Sequence, residues 1–260
     1  MRIVTWNVNS LNARMERVEE WIGLLQPDVL CLQETKLGND DFPHDAFSAL
    51  GYESAHHGQG QWNGVAILSR VGLDDVRRDF ADGGEADRDA RILWATCAGV
   101  RVASCYVPNG RTLDDDHYAY KLDWLDRLLA DLDQNADAGH DIAVVGDFNI
   151  APDDRDVFDP AGLVGVTHTS APERERLESL ARWGLADCFR DHHDAAGLYS
   201  WWDYRDGNFH KRKGMRIDLI LVSESIRNRT ERVFVDRNAR KGKLPSDHAP
   251  VVADIANTSK

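Results

Sequence analysis

Five apolar runs of this sequence each meet an acid, an amide or a histidine at one end. Three runs precede their polar residue, which is Asn7, Glu34 or Asp147. Two runs follow theirs, which are Asp218 and the pair Asp247-His248. In a sheet with antiparallel neighbours, the end of one strand and the start of the next lie at the same edge, so we expect the five junctions to meet there. Carboxylates, amides and an imidazole gathered at one edge would suit a hard divalent cation and a phosphate ester.

Glu34 follows an apolar run that predicts a buried strand. A carboxylate in that position is anchored by rigid backbone and still faces a cleft, as a Mg²⁺ ligand must. For one such glutamate, an acid in a turn or at a helix N-terminus is the more common interpretation. The repetition of similar junctions along the chain favours the ligand.

Asp147 and Asn149 lie in the tetrapeptide Gly146-Asp147-Phe148-Asn149 at the end of another apolar run. Glycine allows the backbone to turn tightly, and side chains two residues apart face the same side if the strand continues. Asp147 could accept a proton from a water molecule while Asn149 donates to a phosphoryl oxygen. The alternative is an ordinary Asx turn.

Asp247 and His248 precede the last apolar run. Adjacent residues of an extended chain face opposite ways, so we assign Asp247 to the metal and His248 to the phosphate. Asp218 could hold His248 through its other ring nitrogen, and a neighbouring carboxylate favours the imidazolium form. His56 and His192 are interpreted as structural or solvated.

The charge distribution is uneven. A net charge of −13 argues against non-specific attraction to nucleic acid. Two basic segments, residues 210–216 and 237–243, nevertheless lie shortly before Asp218 and Asp247. A solvated loop is one interpretation of each, and their position favours contact with a phosphate backbone.

Strand and helix patterns alternate along the chain, without GxGxxG or GxxxxGK[ST] motifs. Apolar residues at helical spacing predict helices over 11–25, 118–132 and 173–183. Besides the runs before Asn7 and Glu34, strands are predicted at 65–68, 91–96, 100–107, 142–145, 219–222, 230–235 and 250–255. The strands 91–96 and 100–107, joined by Ala98-Gly99, predict an antiparallel hairpin. Mixed strand directions, with helices between some strands, indicate sheets packed on each other with helices outside.

The composition is that of an ordinary globular protein, with 42% hydrophobic residues and four cysteines. The cysteines show no CxxC pair or zinc spacing, so we expect buried thiols. The amino-terminal residues lack the pattern of a secretory signal, and no membrane protein is implied. We therefore expect a cytoplasmic protein.

Seven motifs, taken in order, resemble the signatures of the exonuclease III family of apurinic/apyrimidinic endonucleases, in the wider endonuclease/exonuclease/phosphatase superfamily. The resemblance covers essentially the whole chain. The motifs are Asn7, Leu32-Gln33-Glu34-Thr35-Lys36, Tyr106-Val107-Pro108-Asn109-Gly110, Gly146-Asp147-Phe148-Asn149, Ser200-Trp201-Trp202-Asp203-Tyr204-Arg205, Arg216-Ile217-Asp218 and Ser246-Asp247-His248-Ala249-Pro250.

The resemblance implies one deoxyribonuclease I-like domain over residues 1–260. It is expected to be a four-layered α/β sandwich, with two mixed sheets packed face to face and helices outside. The implied activity is Mg²⁺-dependent hydrolysis of the phosphodiester 5′ to abasic sites in duplex DNA, leaving a 3′-OH. Mn²⁺ is expected to substitute, and 3′→5′ exonuclease and 3′-phosphatase activities to share the site. The implied partner is duplex DNA with abasic sites or blocked 3′ ends, bound by a monomer without an obligate protein partner, at the nucleoid when acting.

The resemblance also implies roles for individual residues. Glu34 binds the metal with Asn7 and Asp247 nearby, and Asp147 and Asn149 are candidates for a second metal site. Asp147 positions the attacking water, Asn149 and His248 bind the scissile phosphate, Asp218 orients His248, and Tyr106 lies at the phosphate or the leaving oxygen. Some relatives have an acid where this chain has Asn9, which weakens the case for a second metal.

Substrate choice is expected to depend on aromatic and basic loops. Trp201, Met215 and Ile217 match an apolar pocket that receives a flipped base-free sugar, and its size would exclude an intact base. Trp202 is interpreted as core. The other predicted substrate-binding residues are Lys36, Asn109 and Arg111.

Two other functions remain open from the residues. Another phosphoesterase of the superfamily, acting on RNA, inositol phosphates or sphingomyelin, could use the same acids and histidine. The Trp201 loop and the Tyr106 motif favour damaged DNA instead. A non-catalytic DNA-binding module would have no need of a complete set of catalytic residues.

Overall fold

The protein forms two six-stranded sheets, described here from a computed structural model that covers residues 1–257. The strands are β1 (Arg2–Asn7), β2 (Val29–Gln33), β3 (Glu53–His57), β4 (Val65–Ser69), β5 (Asp74–Arg78), β6 (Ile92–Cys97), β7 (Val100–Tyr106), β8 (Ile142–Asp147), β9 (Ala186–Asp187), β10 (Asp218–Val222), β11 (Thr230–Val235) and β12 (Val251–Ile255). The helices are α1 (Leu11–Leu25), α2 (His44–Ala49), α3 (Asp116–Asn135), α4 (Ala171–Trp183), α5 (Cys188–His192), α6 (Asn208–Lys211) and α7 (Glu224–Arg227). Short 3₁₀ turns lie at Asn39–Asp41, Asp154–Asp156, Arg205–Gly207 and Arg237–Arg240.

Both sheets are mixed. The first has the strand order β11-β12-β1-β2-β4-β3, and the second has the order β5-β6-β7-β8-β10-β9. In the centre of the first sheet, β1 is parallel to β2 and antiparallel to β12. In the centre of the second, β8 is parallel to β7 and antiparallel to β10, which places Asp147 level with both Tyr106 and Asp218.

The two sheets pack face to face over a shared apolar core. That core combines side chains of the first sheet, such as Ile67 and Val251, with side chains of the second, such as Val145 and Ile220. On the outer face of the first sheet, α1 buries Val18, Trp21 and Ile22. On the outer face of the second, α3 and α4 pack in a separate core, with Trp124, Leu128 and Leu180 buried. The predicted four-layered α/β sandwich is confirmed.

Most predicted elements are present. The helix over 11–25 is confirmed, and the helices over 118–132 and 173–183 lie within α3 and α4. α3 and α4 begin two residues earlier than predicted because their first turns are capped. The Asp115 carboxylate accepts from the His117 amide, and Ser170 and Glu173 form a capping box. Polar edge strands β3 and β5 were not predicted, because solvent-facing edges lack the apolar pattern of central strands.

Local backbone features agree with the sequence. The β6–β7 hairpin is antiparallel and turns through Ala98 and Gly99, both with positive φ, of 48° and 83°. This handedness matches the twist of the flanking strands. The four cysteines are buried and free, as predicted. No helix within residues 1–257 combines the length and apolar character needed to span a bilayer.

Candidate active site

The predicted junctions meet at one rim of the sandwich, where β1, β2, β7 and β8 end and β10 begins. Asn7 connects the two sheets there: its Nδ2 donates to Glu34 Oε1 at 2.9 Å and to Asp147 Oδ2 at 2.9 Å. One amide therefore holds two carboxylates from different sheets side by side. The arrangement confirms that the polar ends of the strands share an edge.

Glu34 is held by three donors at the mouth of this rim. The Tyr106 hydroxyl donates to Oε1 at 2.9 Å, next to the Asn7 amide, and Lys36 Nζ lies 3.0 Å from Oε2. The residue has left the strand, with φ of 52°, and its side chain keeps 18% of its surface exposed. Glu34 is thus fixed in position and still open to solvent.

His248 is buried against Asp218. Its Nδ1 lies 2.9 Å from Asp218 Oδ2, which also accepts from the Ser200 hydroxyl at 2.6 Å. Burial alone would lower the pKa of His248, but the negative charges of Asp218 and Asp147 outweigh it and raise the pKa to about 10. The direction of this shift favours the imidazolium form of His248 at neutral pH.

Asp147 lies between these two groups. Its Oδ2 is 3.8 Å from His248 Nε2, and its Oδ1 accepts from the Asn149 amide at 2.9 Å. Burial raises the pKa of Asp147 to about 7, with the imidazolium acting in the opposite direction. Gly146 makes this placement possible, because a Cβ there would lie 1.9 Å from the Cys105 carbonyl oxygen.

Glu34, Asp147 and His248 each present a potential ligand atom, and these atoms lie within 4.8 Å of one another. The two carboxylates offer the oxygen ligands that Mg²⁺ prefers. An imidazolium has no free lone pair for a metal, so we exclude His248 from the ligands. The donor set suits one hard cation beside a positive group that can receive an anion.

Asp247 lies outside this group of three. Its Oδ1 accepts from Asn9 Nδ2 at 3.0 Å and its Oδ2 from Trp201 Nε1 at 3.1 Å. Asn9 in turn accepts from Lys36 at 2.5 Å. Asp247 thus connects to the Glu34 side through Asn9 and Lys36, and its assignment to the metal stays a prediction.

Asn149 and Asn109 form the other wall of the site. Asn149 has a left-handed backbone, with φ of 53°, and its side chain donates to the Val107 carbonyl at 3.0 Å. Asn109 donates to Asn149 Oδ1 at 3.2 Å and accepts from the Arg111 amide at 3.1 Å. Arg111 itself extends outward, with a side chain 65% exposed.

A buried ion pair supports this wall, and sequence reasoning missed it. Lys121 Nζ donates to the carbonyls of Asn149, at 2.7 Å, and Asn109, at 3.2 Å, and pairs with Glu173. Both charged side chains are fully buried. The signal was present, because Lys121 lies on the apolar stripe of α3 and Glu173 completes a capping box.

His168 was also missed. Its Nδ1 lies 2.5 Å from the Asn149 carbonyl, its amide donates to Glu173 at 2.9 Å, and its φ of 76° is unusual for a residue with a Cβ. Burial, with Lys121 nearby, lowers the pKa of His168 to about 4. A neutral imidazole therefore adjoins Asn149.

Trp201, Met215 and Ile217 come together beside His248, and their role as a sugar pocket stays a prediction. They belong to one apolar cluster, and the Trp201 and His248 ring centroids are 6.5 Å apart. Trp201 is only partly buried, whereas Trp202 is 1% exposed and belongs to the core. The interpretation of Trp202 is confirmed.

The fold and rim define a class of protein, a hydrolase of phosphate esters built on two packed sheets. A family model described as the endonuclease/exonuclease/phosphatase family matches residues 4–248. The chain belongs to that family, within its exonuclease III branch of AP endonucleases, and is a nuclease.

Individual relatives agree over nearly full length. Exodeoxyribonuclease III of Haemophilus influenzae is 33% identical, over 98% of this chain and 100% of its own. The structure of an AP endonuclease from Archaeoglobus fulgidus is 34% identical, with a TM-score of 0.95 and coverage of 98% and 99% of the two chains. A 3′ phosphatase, NExo from Neisseria, bound to product DNA hairpin, is 39% identical, with a TM-score of 0.95 and the same coverage.

Proposed function

We propose that the chain, as one domain over residues 1–260, is a Mg²⁺-dependent DNA repair nuclease. Its reaction is hydrolysis of the phosphodiester 5′ to an abasic site in duplex DNA, leaving a 3′-OH. The same site removes 3′ nucleotides and 3′ phosphates. The observation that carries this proposal is the pairing, within 4.8 Å, of two carboxylates with an Asp-supported imidazolium.

Mg²⁺, with Mn²⁺ as a substitute, fits the carboxylate side of the rim. Glu34 is the main ligand, with Asn7 and Asp247 close by and Asp147 and Asn149 as candidates for a second site. Bound there, the metal would neutralise charge on the phosphate and the leaving oxygen. The supporting observation is that two carboxylates from different sheets lie side by side, each 2.9 Å from the Asn7 amide nitrogen, and carboxylate oxygens are ligands of a hard cation.

The protein's own groups act on the scissile phosphate. His248 donates from Nε2 to a phosphate oxygen, because Asp218 occupies Nδ1 and keeps the ring protonated. Asp147 orients the attacking water and accepts its proton. Asn149 and Tyr106 complete the set at the phosphate and the leaving oxygen. Fixed donors of this kind stabilise developing charge without reorganisation.

Trp201, Met215 and Ile217 are proposed to receive the base-free sugar. Their apolar cluster adjoins His248, so a sugar inserted there would bring its 5′ phosphate to the imidazolium. A sugar without a base costs least to extrude from the duplex. Lys36, Asn109 and Arg111 are the proposed contacts with the flanking backbone.

The proposed partner is duplex DNA with abasic sites or blocked 3′ ends. We place the protein in the cytoplasm, at the nucleoid when acting, as a monomer without an obligate protein partner. The NExo relative is described as a 3′ phosphatase, so removal of a 3′ phosphate is the second candidate for the main activity.

Cleavage of defined substrates tests the proposal. We expect Mg²⁺-dependent incision of a duplex bearing a tetrahydrofuran abasic analogue, compared with release of phosphate from a 3′-phosphorylated duplex. The ratio of the two rates shows whether abasic incision or removal of a 3′ phosphate is the main activity. An active preparation that cuts an inositol phosphate and leaves both duplexes intact would overturn the DNA substrate.

Trp201→Ala tests the pocket within the same assay. Loss of the ring should weaken abasic incision more than exonucleolytic removal of 3′ nucleotides, because only the first places a sugar in the pocket. Trp201 Nε1 also donates to Asp247, so Trp201→Phe serves as a control that keeps most of the ring and removes that bond. Equal losses of both activities in Trp201→Ala would show that Trp201 is not part of the sugar pocket.

A further inference from the structure

The two basic segments predicted to contact phosphate, residues 210–216 and 237–243, meet at a cavity of about 520 Å³. His210 comes from the first segment, and Arg240 and Lys241 come from the second. Tyr204 and Phe209 supply aromatic surface. None of these five residues has a role in the proposed catalytic group.

Arg240 is the unusual member of this cavity. It is only 6% exposed, yet its guanidinium forms no ion pair with any carboxylate in residues 1–257. Its Nη1 donates to the Ser246 carbonyl, while its Nε has no hydrogen-bond partner in the described part of the chain. A buried guanidinium normally has an acidic partner, so this one is suited to an anion from outside the chain.

Aromatic rings and other cations surround the guanidinium. Its carbon lies 5.0 Å from the Phe209 ring centroid and 5.4 Å from that of Tyr204. Burial, helped by Arg14 and Arg17, outweighs the opposite effect of Tyr204 and Asp247 and lowers the pKa of Arg240. Such a low-dielectric setting strengthens attraction to an anion.

The acidic residue of the cavity is already neutralised. Asp203 lies 2.6 Å from the Arg205 guanidinium in an ion pair between near neighbours in the sequence. Arg240 and Lys241 therefore give the cavity lining a positive surplus, although the whole chain carries −13.

The cavity is connected to the active-site rim. Arg240 is bound to Ser246, two residues before His248, and Arg14 donates to both the Tyr204 hydroxyl, at 2.9 Å, and the Asn9 carbonyl, at 2.8 Å. A nucleic-acid strand bound at the rim could thus place a neighbouring phosphate at Arg240.

We propose that the Arg240 cavity is a second phosphate-binding site, which takes a backbone phosphate of DNA outside the bond that is hydrolysed. The proposal rests on the proposed function for the source of that phosphate. The chemistry would equally admit free inorganic phosphate, and the open aromatic lining favours a strand. Arg240 and Lys241 bind the substrate here and take no part in the bond-breaking step.

Binding in EDTA buffer tests the site apart from hydrolysis. Fluorescence anisotropy with a labelled abasic-analogue duplex should show that Arg240→Gln weakens the Kd on the order of tenfold. The slope of log K against log salt should become less steep by about 1, as expected for one lost phosphate contact. At saturating duplex in Mg²⁺, kcat should stay near the wild-type value while KM rises.

Matched variants separate charge, folding and position. Arg182→Gln removes the same charge from the exposed side of α4, where Arg182 is 67% exposed, and should leave the Kd unchanged. Lys241→Gln changes an exposed residue of the same cavity and should weaken the Kd and lower the salt slope with an unaltered Tm. Arg240→Lys should restore part of the affinity.

Three outcomes would overturn the site. The first is an unchanged Kd and salt slope in both Arg240→Gln and Lys241→Gln. The second is a fall in Tm and kcat for Arg240→Gln with Lys241→Gln silent, which would make Arg240 a structural residue. The third is that Arg240→Gln binds DNA as the wild type does but loses the Tm shift that inorganic phosphate produces. That result would make free phosphate the ligand of the cavity. Failure to cut abasic DNA would leave the binding result standing and refute only the proposed function.

Discussion

The two sides of the catalytic rim hold their charges differently. On the Glu34 side, a carboxylate that is 18% exposed is surrounded by donors from Lys36 and Tyr106. On the His248 side, Asp218 is fully buried and bound to the imidazole. One side is a partly exposed carboxylate paired with a partly exposed lysine, and the other is an ion pair buried inside the protein.

This difference separates what the protein supplies from what it must bind. The desolvation of a buried pair costs stability, so the Asp218–His248 pair is better explained by the fixed positive charge it presents than by stabilisation of the fold. Glu34 and Asp147 instead present carboxylate oxygens that can bind an external cation. The comparison therefore predicts that one side responds to added metal and the other does not.

Asp147 belongs to both sides, so its loss should have the largest effect. We expect Asp147→Asn to lower turnover by about 10⁴-fold, because the substitution removes the proton acceptor and a metal neighbour together. Single-turnover cleavage of the abasic-analogue duplex measures the rate. The isosteric amide should leave the thermal unfolding midpoint nearly unchanged, and a near-normal rate would refute the role.

His248→Asn breaks the imidazolium side alone. We expect a loss of about 10³-fold in turnover, because a fixed charge near the phosphate is lost and a neutral amide replaces it. Extra Mg²⁺ should not restore the rate. Asp218→Asn is the matched variant that keeps the ring and removes its support, and it should give a smaller loss. Recovery of the His248→Asn rate at high Mg²⁺ would show that the two sides of the rim do not act separately.

Glu34→Gln breaks the metal side alone. At low Mg²⁺ we expect turnover to fall by about 10²-fold, since a ligand change of this kind costs metal affinity. Titration with Mg²⁺ should recover much of that loss by raising occupancy. A Mg²⁺ dependence identical to that of the wild type would place the metal elsewhere.

Lys36→Met gives the smallest expected effect. Its ammonium group lies 3.0 Å from Glu34 and is partly exposed, so solvent screens the pair. We expect KM to rise by about threefold with little change in kcat, as a lost substrate contact predicts. Lys36→Arg should behave nearly as wild type, whereas a large fall in kcat in Lys36→Met would make Lys36 part of the reaction.

The elements were predictable because their signals are local. The helix over 11–25 and the 91–96 and 100–107 hairpin follow from spacing within short windows. Glu34, Asp147 and His248 were identifiable for the same reason, since each adjoins an apolar run. The family resemblance then supplied roles, which the geometry of the rim supports and mutation must test.

Lys121 and Arg240 show what local signals omit. Lys121 lies on the apolar stripe of α3 and is fully buried against Glu173. Arg240 lies beneath aromatic rings and, within residues 1–257, has no carboxylate partner in an ion pair. Burial of a charge depends on which distant segments pack over it. Periodicity places Lys121 on the apolar stripe of α3 but does not show which distant group will meet its charge.

The sequence by itself determined the apolar strands, the three longest helices and the polar residues at the strand ends. Only the tertiary structure decided that Asn7 bridges Glu34 and Asp147, which are 27 and 140 residues away, and that Asp147 lies between the metal side and the imidazolium. Secondary structure follows from neighbours in the chain, whereas the order of strands in two packed sheets sets which ends meet. The chemistry of the rim is a property of that packing.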